Sequence, residues 1–319
     1  MNWGFIGFGR IARKFLESLM TVDGQTAYAF ASRSNASALR EEFSEVKIYE
    51  SYEALLADPK VDIVYISTTH NFHCQNAIDA LSAGKHVLCE KPMGISSAEI
   101  LKMAEAAKTS GKFLMEAMWM RFLPAYREAI RRAKSGEIGQ IMYLTGSFGF
   151  RSIDKLTKDG RLLNPDLAGG ALYDVGVYPL TFAADLFGWE PKNFVAHAIK
   201  SDTGVDESIQ IQMDFGGNRF AQLFGSIALV TSKEAYIYGE DGFIKLPMFW
   251  KAESFSIHKG EDIETVTLPF KSNGYVHEIE EVIGSIEKGK MESSLFSLND
   301  SLMSARLVEK ILSSILNKN

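Results

Sequence analysis

Lys91 stands in the triplet Glu90-Lys91-Pro92, which closes the apolar run His86-Val87-Leu88-Cys89. An ammonium group at the end of such a run can donate a proton or a hydrogen bond to a carbonyl oxygen. A nearby cation or partial burial would lower its pKa toward that task. Pro92 fixes the local backbone. A lone lysine is ordinarily a surface charge, so the assignment needs support from elsewhere in the chain. It comes from the stretch Gly169-Gly170-Ala171-Leu172-Tyr173-Asp174-Val175-Gly176-Val177-Tyr178-Pro179. If this segment is helical, Asp174 and Tyr178 share a face. A phenol beside a lysine can relay a proton, and a carboxylate can orient substrate hydroxyls. Pro179 predicts a kink, because proline disfavours the helical region for the residue before it. The same stretch also reads as a capped core helix with a buried tyrosine.

A second constellation lies near the N-terminus. Gly7-Phe8-Gly9-Arg10-Ile11-Ala12 fits the G-x-G-x-x-A form of a dinucleotide-binding turn. Gly7 would make the tight turn, and Gly9 would let the backbone approach a pyrophosphate. Ala12 would let the following helix pack closely on its strand, and the helix N-terminus would face the phosphates. A site for NAD ordinarily carries an acidic residue at the end of the second strand, where it accepts from the ribose 2′-OH. Here that turn reads Ala31-Ser32-Arg33-Ser34. Arg33 offers a charge-assisted fork for a phosphate and Ser32 a hydroxyl, so NADP is the expected cofactor, with NAD as the alternative. The plain alternative for Arg33 is a solvated surface charge.

These residues need a scaffold that holds them at strand ends. Trp3–Ile6, Ala27–Ala31, Val61–Ser67, His86–Cys89 and Phe113–Met115 read as apolar strands separated by amphipathic helical stretches. That rhythm predicts an α/β domain: a Rossmann doubly wound parallel sheet, which binds ligands at the carboxyl ends of its strands. Beyond about residue 120 the rhythm changes. Ile141–Phe148, Phe194–Ile199, Ser208–Phe215, Arg219–Ile227, Glu234–Tyr238, Phe243–Pro247, Ser254–His258 and Glu264–Leu268 follow with little helix between them. They predict a C-terminal α+β domain with a large, mostly antiparallel sheet. Two helices close the chain, near Val276–Glu287 and Leu298–Leu316, the second opened by Ser297 and Asp300 as a cap. The expected domains are 1–119, binding the cofactor, and 120–319, binding substrate and oligomerising, with the C-terminal helix able to pack back on the first.

The glycine turn, Thr68-Thr69-His70-Asn71-Phe72-His73, Glu90-Lys91-Pro92 and Gly169–Tyr178 occur in the order found in the glucose–fructose oxidoreductase / inositol dehydrogenase / MocA (Gfo/Idh/MocA) family, which the chain resembles over nearly its whole length. Within that family, Met115–Phe122 and Gly169–Asp174 look most like the dimeric dihydrodiol dehydrogenase / D-xylose dehydrogenase branch. The resemblance implies Lys91 as a catalytic residue, Tyr178 as acid/base, and Asp174 and His73 in the active site. It places Thr68, Glu90 and Lys91 at the cofactor with Gly7, Phe8, Gly9, Arg10, Ile11 and Ala12. Trp119, Arg121, Phe148 and Arg151 would line the substrate pocket. Many members carry histidine where this chain has Tyr178, and the tyrosine agrees with the dihydrodiol type rather than the inositol type. His73 has a second reading, capping the following helix or ordering the cofactor without moving protons.

The function expected is reversible hydride transfer between NADP(H) and a carbinol/carbonyl carbon of a sugar, polyol or cyclic trans-diol. One alternative is a non-catalytic NADP-sensing regulator, which would predict a degraded Lys/Asp/Tyr set; all three residues are present. Another is an enzyme of a different class on the same scaffold, with a retained cofactor. The net charge of −6 argues against a nucleic-acid surface. The two cysteines, Cys74 and Cys89, are too few for a disulfide framework and suit a cytoplasmic protein. No apolar run is long enough to span a membrane, no basic leader precedes the first strand, and no metal site is expected. Apolar residues on both faces of the later strands, Phe220, Leu223 and Phe224 beside Ala221 and Ile227, predict a homodimer or higher homo-oligomer through the C-terminal sheet.

Overall fold

The structure, a computed structural model, describes residues 1–152 and 157–316. Its first elements are β1 (Asn2–Ile6), α1 (Arg10–Leu19), β2 (Thr26–Ala31), α2 (Ala36–Glu42), β3 (Lys47–Tyr49) and α3 (Tyr52–Leu56). β4 (Ile63–Ile66), α4 (His73–Ser82), β5 (His86–Glu90), α5 (Ser97–Ser110) and β6 (Leu114–Ala117) follow. The six strands form one sheet in the order β3-β2-β1-β4-β5-β6, and every pairing is parallel. Strand order therefore reverses between β1 and β4, where a doubly wound sheet opens a crevice at its carboxyl edge. Phe5, Phe15, Phe30 and Tyr65 are all fully buried here. Phe8 stacks on Phe30 with centroids 4.0 Å apart and Phe15 on Tyr65 at 3.9 Å, which packs helix and sheet together close to that edge.

The later elements are α6 (Pro124–Lys134), β7 (Ile141–Gly149), α7 (Val177–Phe187), β8 (Asn193–Lys200), β9 (Asp206–Gly216) and β10 (Arg219–Ser226). β11 (Ala235–Gly239), β12 (Phe243–Leu246), β13 (Ser254–Lys259), β14 (Asp262–Thr267), α8 (Val276–Glu287) and α9 (Leu298–Leu316) complete the chain. Each of the eight runs read as strands forms one, in a single sheet ordered β14-β13-β12-β11-β7-β10-β9-β8. It is antiparallel except where β10 runs parallel to β7. α9 opens as expected: the Asp300 N–H donates to Ser297 Oγ at 3.1 Å, and the Ser297 N–H donates to the Asp300 carboxylate at 2.9 Å.

Contacts divide the chain into two compact units. One is Met1–Trp119 with Lys271–Leu302, and the other Met120–Phe270 with the chain from Met303 on. In the first, the returning segment joins the sheet edge, since the Leu114 N–H donates to the Met291 carbonyl at 2.9 Å. No helix among the described residues is long and apolar enough to cross a membrane, and none of their His, Cys, Asp and Glu side chains group to hold a metal ion.

One helical expectation needs correction. Residues Leu172–Gly176 form a π turn before α7, in which the Val177 N–H donates to the Leu172 carbonyl five residues back. The four-residue spacing of Asp174 and Tyr178 therefore does not carry them along an unbroken α-helical face. Two features favour the wider turn. Pro179 supplies no N–H to the ladder. Gly176 lies directly on β10, where a Cβ added to Gly225 would come within 3.1 Å of the Gly176 Cα.

Candidate active site

In the first unit the glycine turn has the geometry a dinucleotide needs. Gly7 has φ +82°, and a Cβ there would meet Thr68 within 2.9 Å, so only glycine closes the gap between the ends of β1 and β4. Gly9 is the N-cap of α1, and a Cβ on it would meet nothing within 4 Å. α1 has no side-chain cap and no acidic residue in its first turn, so its leading N–H groups and positive dipole end remain free to receive phosphate oxygens. Open backbone at a helix start, beside a strand-order reversal, fits a dinucleotide pyrophosphate.

After β2, the Ser32 hydroxyl accepts from the Asn35 N–H at 3.1 Å, which shapes the turn that presents Arg33. The Arg33 guanidinium lies over the Tyr52 ring, 4.2 Å from its centroid, and 3.4 Å from the Glu53 carboxylate. Glu53 is the acidic neighbour that the strand-end sequence lacks; α3 brings it there. With both side chains more than half exposed, solvent screens that ion pair and it can open for a phosphate.

The Lys91–Pro92 peptide is cis and follows β5 directly. The Glu90 carboxylate beside it is buried, accepting from the Tyr65 hydroxyl at 2.6 Å and from the Lys91 N–H at 3.2 Å. His73 is fully buried, with Nδ1 2.9 Å from the Pro92 carbonyl and Nε2 3.0 Å from the Thr68 carbonyl. Burial holds its pKa below the ordinary value, with the two carbonyls opposing that shift. Its ring thus ties the loop after β4 to the turn that carries Lys91. This arrangement suits ordering the site more than exchanging protons with solvent. Trp119 stacks on Tyr275 at 4.8 Å in the same unit.

In the second unit Asp174 and Tyr178 lie at the π turn and the start of α7, both buried. The Arg161 guanidinium donates to the Asp174 carboxylate at 2.9 Å. Phe148 meets Tyr178 edge to face at 5.2 Å and stacks on Trp250 at 4.7 Å. This wall surrounds a phenol with apolar rings. Arg151 is exposed at the end of β7. Arg121 lies 2.5 Å from the Asp185 carboxylate, which also accepts from the Tyr126 hydroxyl at 2.6 Å. The sequence reading did not find Arg161, Trp250 or Tyr275. Each is joined to a candidate residue only by folding, across 13 residues for Arg161.

The NAD-binding Rossmann domain of the Gfo/Idh/MocA oxidoreductase family matches residues 1–118, and that family's C-terminal domain matches residues 126–245. The chain belongs to the Gfo/Idh/MocA family. As a Gfo/Idh/MocA protein it is an NAD(P)-dependent oxidoreductase. It is 33% identical over 322 residues to the trans-1,2-dihydrobenzene-1,2-diol dehydrogenase of Danio rerio, covering 97% of this chain and 95% of that one. To the enzyme of the same name from Homo sapiens it is 31% identical over 330 residues, covering 99% and 97%. Among solved structures, a 3-ketoreductase from Actinomadura kijaniata in complex with NADP and TDP-benzene superposes with a TM-score of 0.88. That pair shares 26% identity, covering 99% of this chain and 98% of the reductase.

Proposed function

We propose that this protein transfers hydride reversibly between NADP(H) and the carbinol/carbonyl carbon of a sugar, polyol or cyclic trans-diol. The observation that carries the reading is the carboxyl edge of the doubly wound sheet, where the open glycine turn after β1 and Lys91 after β5 are held by the same set of strands. The relatives are dehydrogenases of a trans-diol, and the similar 3-ketoreductase was solved with NADP. A bound nicotinamide would carry the hydride. The chain's own residues do the rest. Gly7, Gly9 and the start of α1 hold the pyrophosphate, with Phe8, Arg10, Ile11, Ala12 and Thr68 forming the turn around it. Ser32 shapes the loop that lets Arg33 receive the 2′-phosphate. Glu90 and His73 fix the turn on which Lys91 stands. Lys91 and Tyr178 hold and move the hydroxyl proton, and Asp174, anchored by Arg161, orients a neighbouring hydroxyl. Trp119, Arg121, Phe148 and Arg151 complete the substrate surroundings.

The test is NADPH absorbance followed across aldoses, inositols, anhydro-sugars and trans-diols, with wild type and Arg33→Ala. Stoichiometric NADPH formation with a diol or sugar is expected. Turnover with a cofactor that stays bound and is regenerated would favour an enzyme of another class. In the variant, NADP binding weakens by about tenfold to hundredfold, the 1.5–3 kcal/mol of a charge-assisted contact, while NAD binding changes little. Equal loss for both cofactors would show that Arg33 does not read the 2′-phosphate.

The assembly proposed is a homodimer or higher homo-oligomer through the eight-stranded sheet. Phe220, Tyr143, Tyr238, Phe243 and His258 lie in register across β10, β7, β11, β12 and β13. Within the row Tyr143 stacks on Tyr238 at 5.5 Å and Phe243 on His258 at 4.2 Å. Phe220 and Val195 beside it are nearly half exposed, whereas Leu223 and Ala221 are buried on the opposite face. An aromatic row with an exposed phenylalanine at its end fits a self-complementary partner. Light scattering at micromolar concentration should give at least twice the chain mass, and Phe220→Glu should lower it. A wild-type monomer removes the proposal.

A further inference from the structure

Asp206 is the first residue of β9, lies 4% exposed, and is not part of the site described above. Its carboxylate accepts from the Leu172 N–H at 2.7 Å. Ala171 and Leu172 open the π turn that bears Asp174 and leads into Tyr178. Their N–H groups belong to the unpaired leading set of that helical segment, which has no side-chain cap from its own N-cap residue. A carboxylate from a distant strand therefore does what a local cap does elsewhere.

Each glycine of the pair before the turn answers to a close neighbour, and for Gly170 that neighbour is Asp206. Gly170 has φ +116°, and a Cβ there would be driven into the Asp206 carboxylate. A Cβ on Gly169 would come within 2.7 Å of the Leu162 carbonyl, on the loop that carries Arg161. The Gly170 carbonyl in turn accepts from the Asp174 N–H at 3.1 Å. One contact thus fixes where the turn begins, and the turn fixes where its functional side chains stand.

We infer that Asp206 is the positioning residue for Asp174 and Tyr178, seating the π turn on β9 through the Leu172 N–H. The inference rests on the reading of Asp174 and Tyr178 as site residues. Burial pushes the Asp206 carboxyl up to about 7, with the Leu172 N–H pulling the other way, so the cap is retained despite a desolvation cost. Asn in its place keeps the shape but offers one acceptor oxygen where the carboxylate offers two, and its NH2 cannot accept from a backbone N–H.

The experiment uses the full chain, NADP and trans-1,2-dihydrobenzene-1,2-diol as the turnover probe. Asp206→Asn should lower kcat at least tenfold, since small displacements of a positioned group cost that much or more, and leave the dissociation constant for NADPH within twofold. In a Tyr178→Phe background it should lower the residual rate less than twofold, because Asp206 acts through the same unit. Amide hydrogen exchange at 171–178 should accelerate at least tenfold, and Gly170→Ala, which displaces the carboxylate from the other side, should reproduce both effects if Asp206→Asn folds poorly. Unchanged exchange, or losses that multiply with those of Tyr178→Phe, overturns the inference. If Tyr178→Phe itself retains full rate, the site reading falls while the exchange measurement still decides the role of Asp206.

Discussion

Lys91→Met lowers kcat by about 10²–10⁴-fold, the range for removal of a general acid, and leaves NADPH affinity close to that of the wild type. The substitution keeps the length and apolar stem of the side chain and removes only the ammonium group. The cis Lys91–Pro92 turn is held independently of that group, by the His73 ring on the Pro92 carbonyl and by the Glu90 carboxylate on the Lys91 N–H. A loss of turnover in Lys91→Met therefore reports on proton handling and not on the shape of the turn. Tyr178→Phe is expected to behave likewise, with the Phe148 and Trp250 rings retaining their packing partner. If the two groups serve one proton, the double variant is scarcely slower than the slower single one. Steady-state kinetics at saturating cofactor decide it. Fully multiplicative losses mean separate roles, and unchanged turnover in Lys91→Met removes the lysine from the mechanism while leaving the cofactor assignment standing.

What could be read from the residues depended on how far apart the interacting groups lie in the chain. All eight strands of the second sheet were legible as apolar runs between turns, with a period of two clear in strands such as β12 and β13. β3 and α3 were not legible, being three and five residues long, too short for any period to show. The glycine turn was legible as chemistry because its function is backbone function, written in residues that lack side chains. Arg33 was legible as a charge, but its setting was not: Tyr52 and Glu53 reach it only because α3 folds back beside β2. The widening of the helix at Leu172–Gly176 had one local sign, Pro179, and one hidden cause, the contact of Gly176 with β10. The double glycine at 169 and 170 signalled that some atom must come close. It could not say that the atom belongs to Asp206, 36 residues beyond Gly170. Motif order carried the family, and the supporting contacts needed the fold.

Glu278→Met should raise the stability of the protein at alkaline pH and flatten its dependence on pH. Glu278 stands in the first turn of α8, fully buried, and neither of its carboxyl oxygens has a hydrogen-bond partner among the described residues. Burial first, and then the charge of Glu90, pushes its carboxyl well above the ordinary value of 4.5. Glu116, also sealed in this unit, is pushed up to about 7, chiefly by burial, with the bond from the Met93 N–H opposing. A carboxyl raised in this way keeps its proton in the folded chain where the unfolded chain has already released it. Folding then takes up protons, so stability falls as pH climbs from the ordinary carboxylate value toward the raised one. For a shift the size of that at Glu116 the loss across the window is about 3 kcal/mol. His73 and His86, whose pKa values burial lowers, act in the opposite sense and cost stability as pH falls below the ordinary histidine value. Their contributions are common to both proteins and cancel when the variant is compared with the wild type. Methionine fills nearly the same volume with no group to desolvate, and such replacements of buried charge are commonly neutral or stabilising. Urea unfolding should show the variant more stable by about 1–3 kcal/mol at pH 8.5, with a smaller difference at pH 5. Parallel pH profiles for the two proteins, or a variant less stable at pH 8.5, would mean that the Glu278 carboxylate is stabilised where it lies.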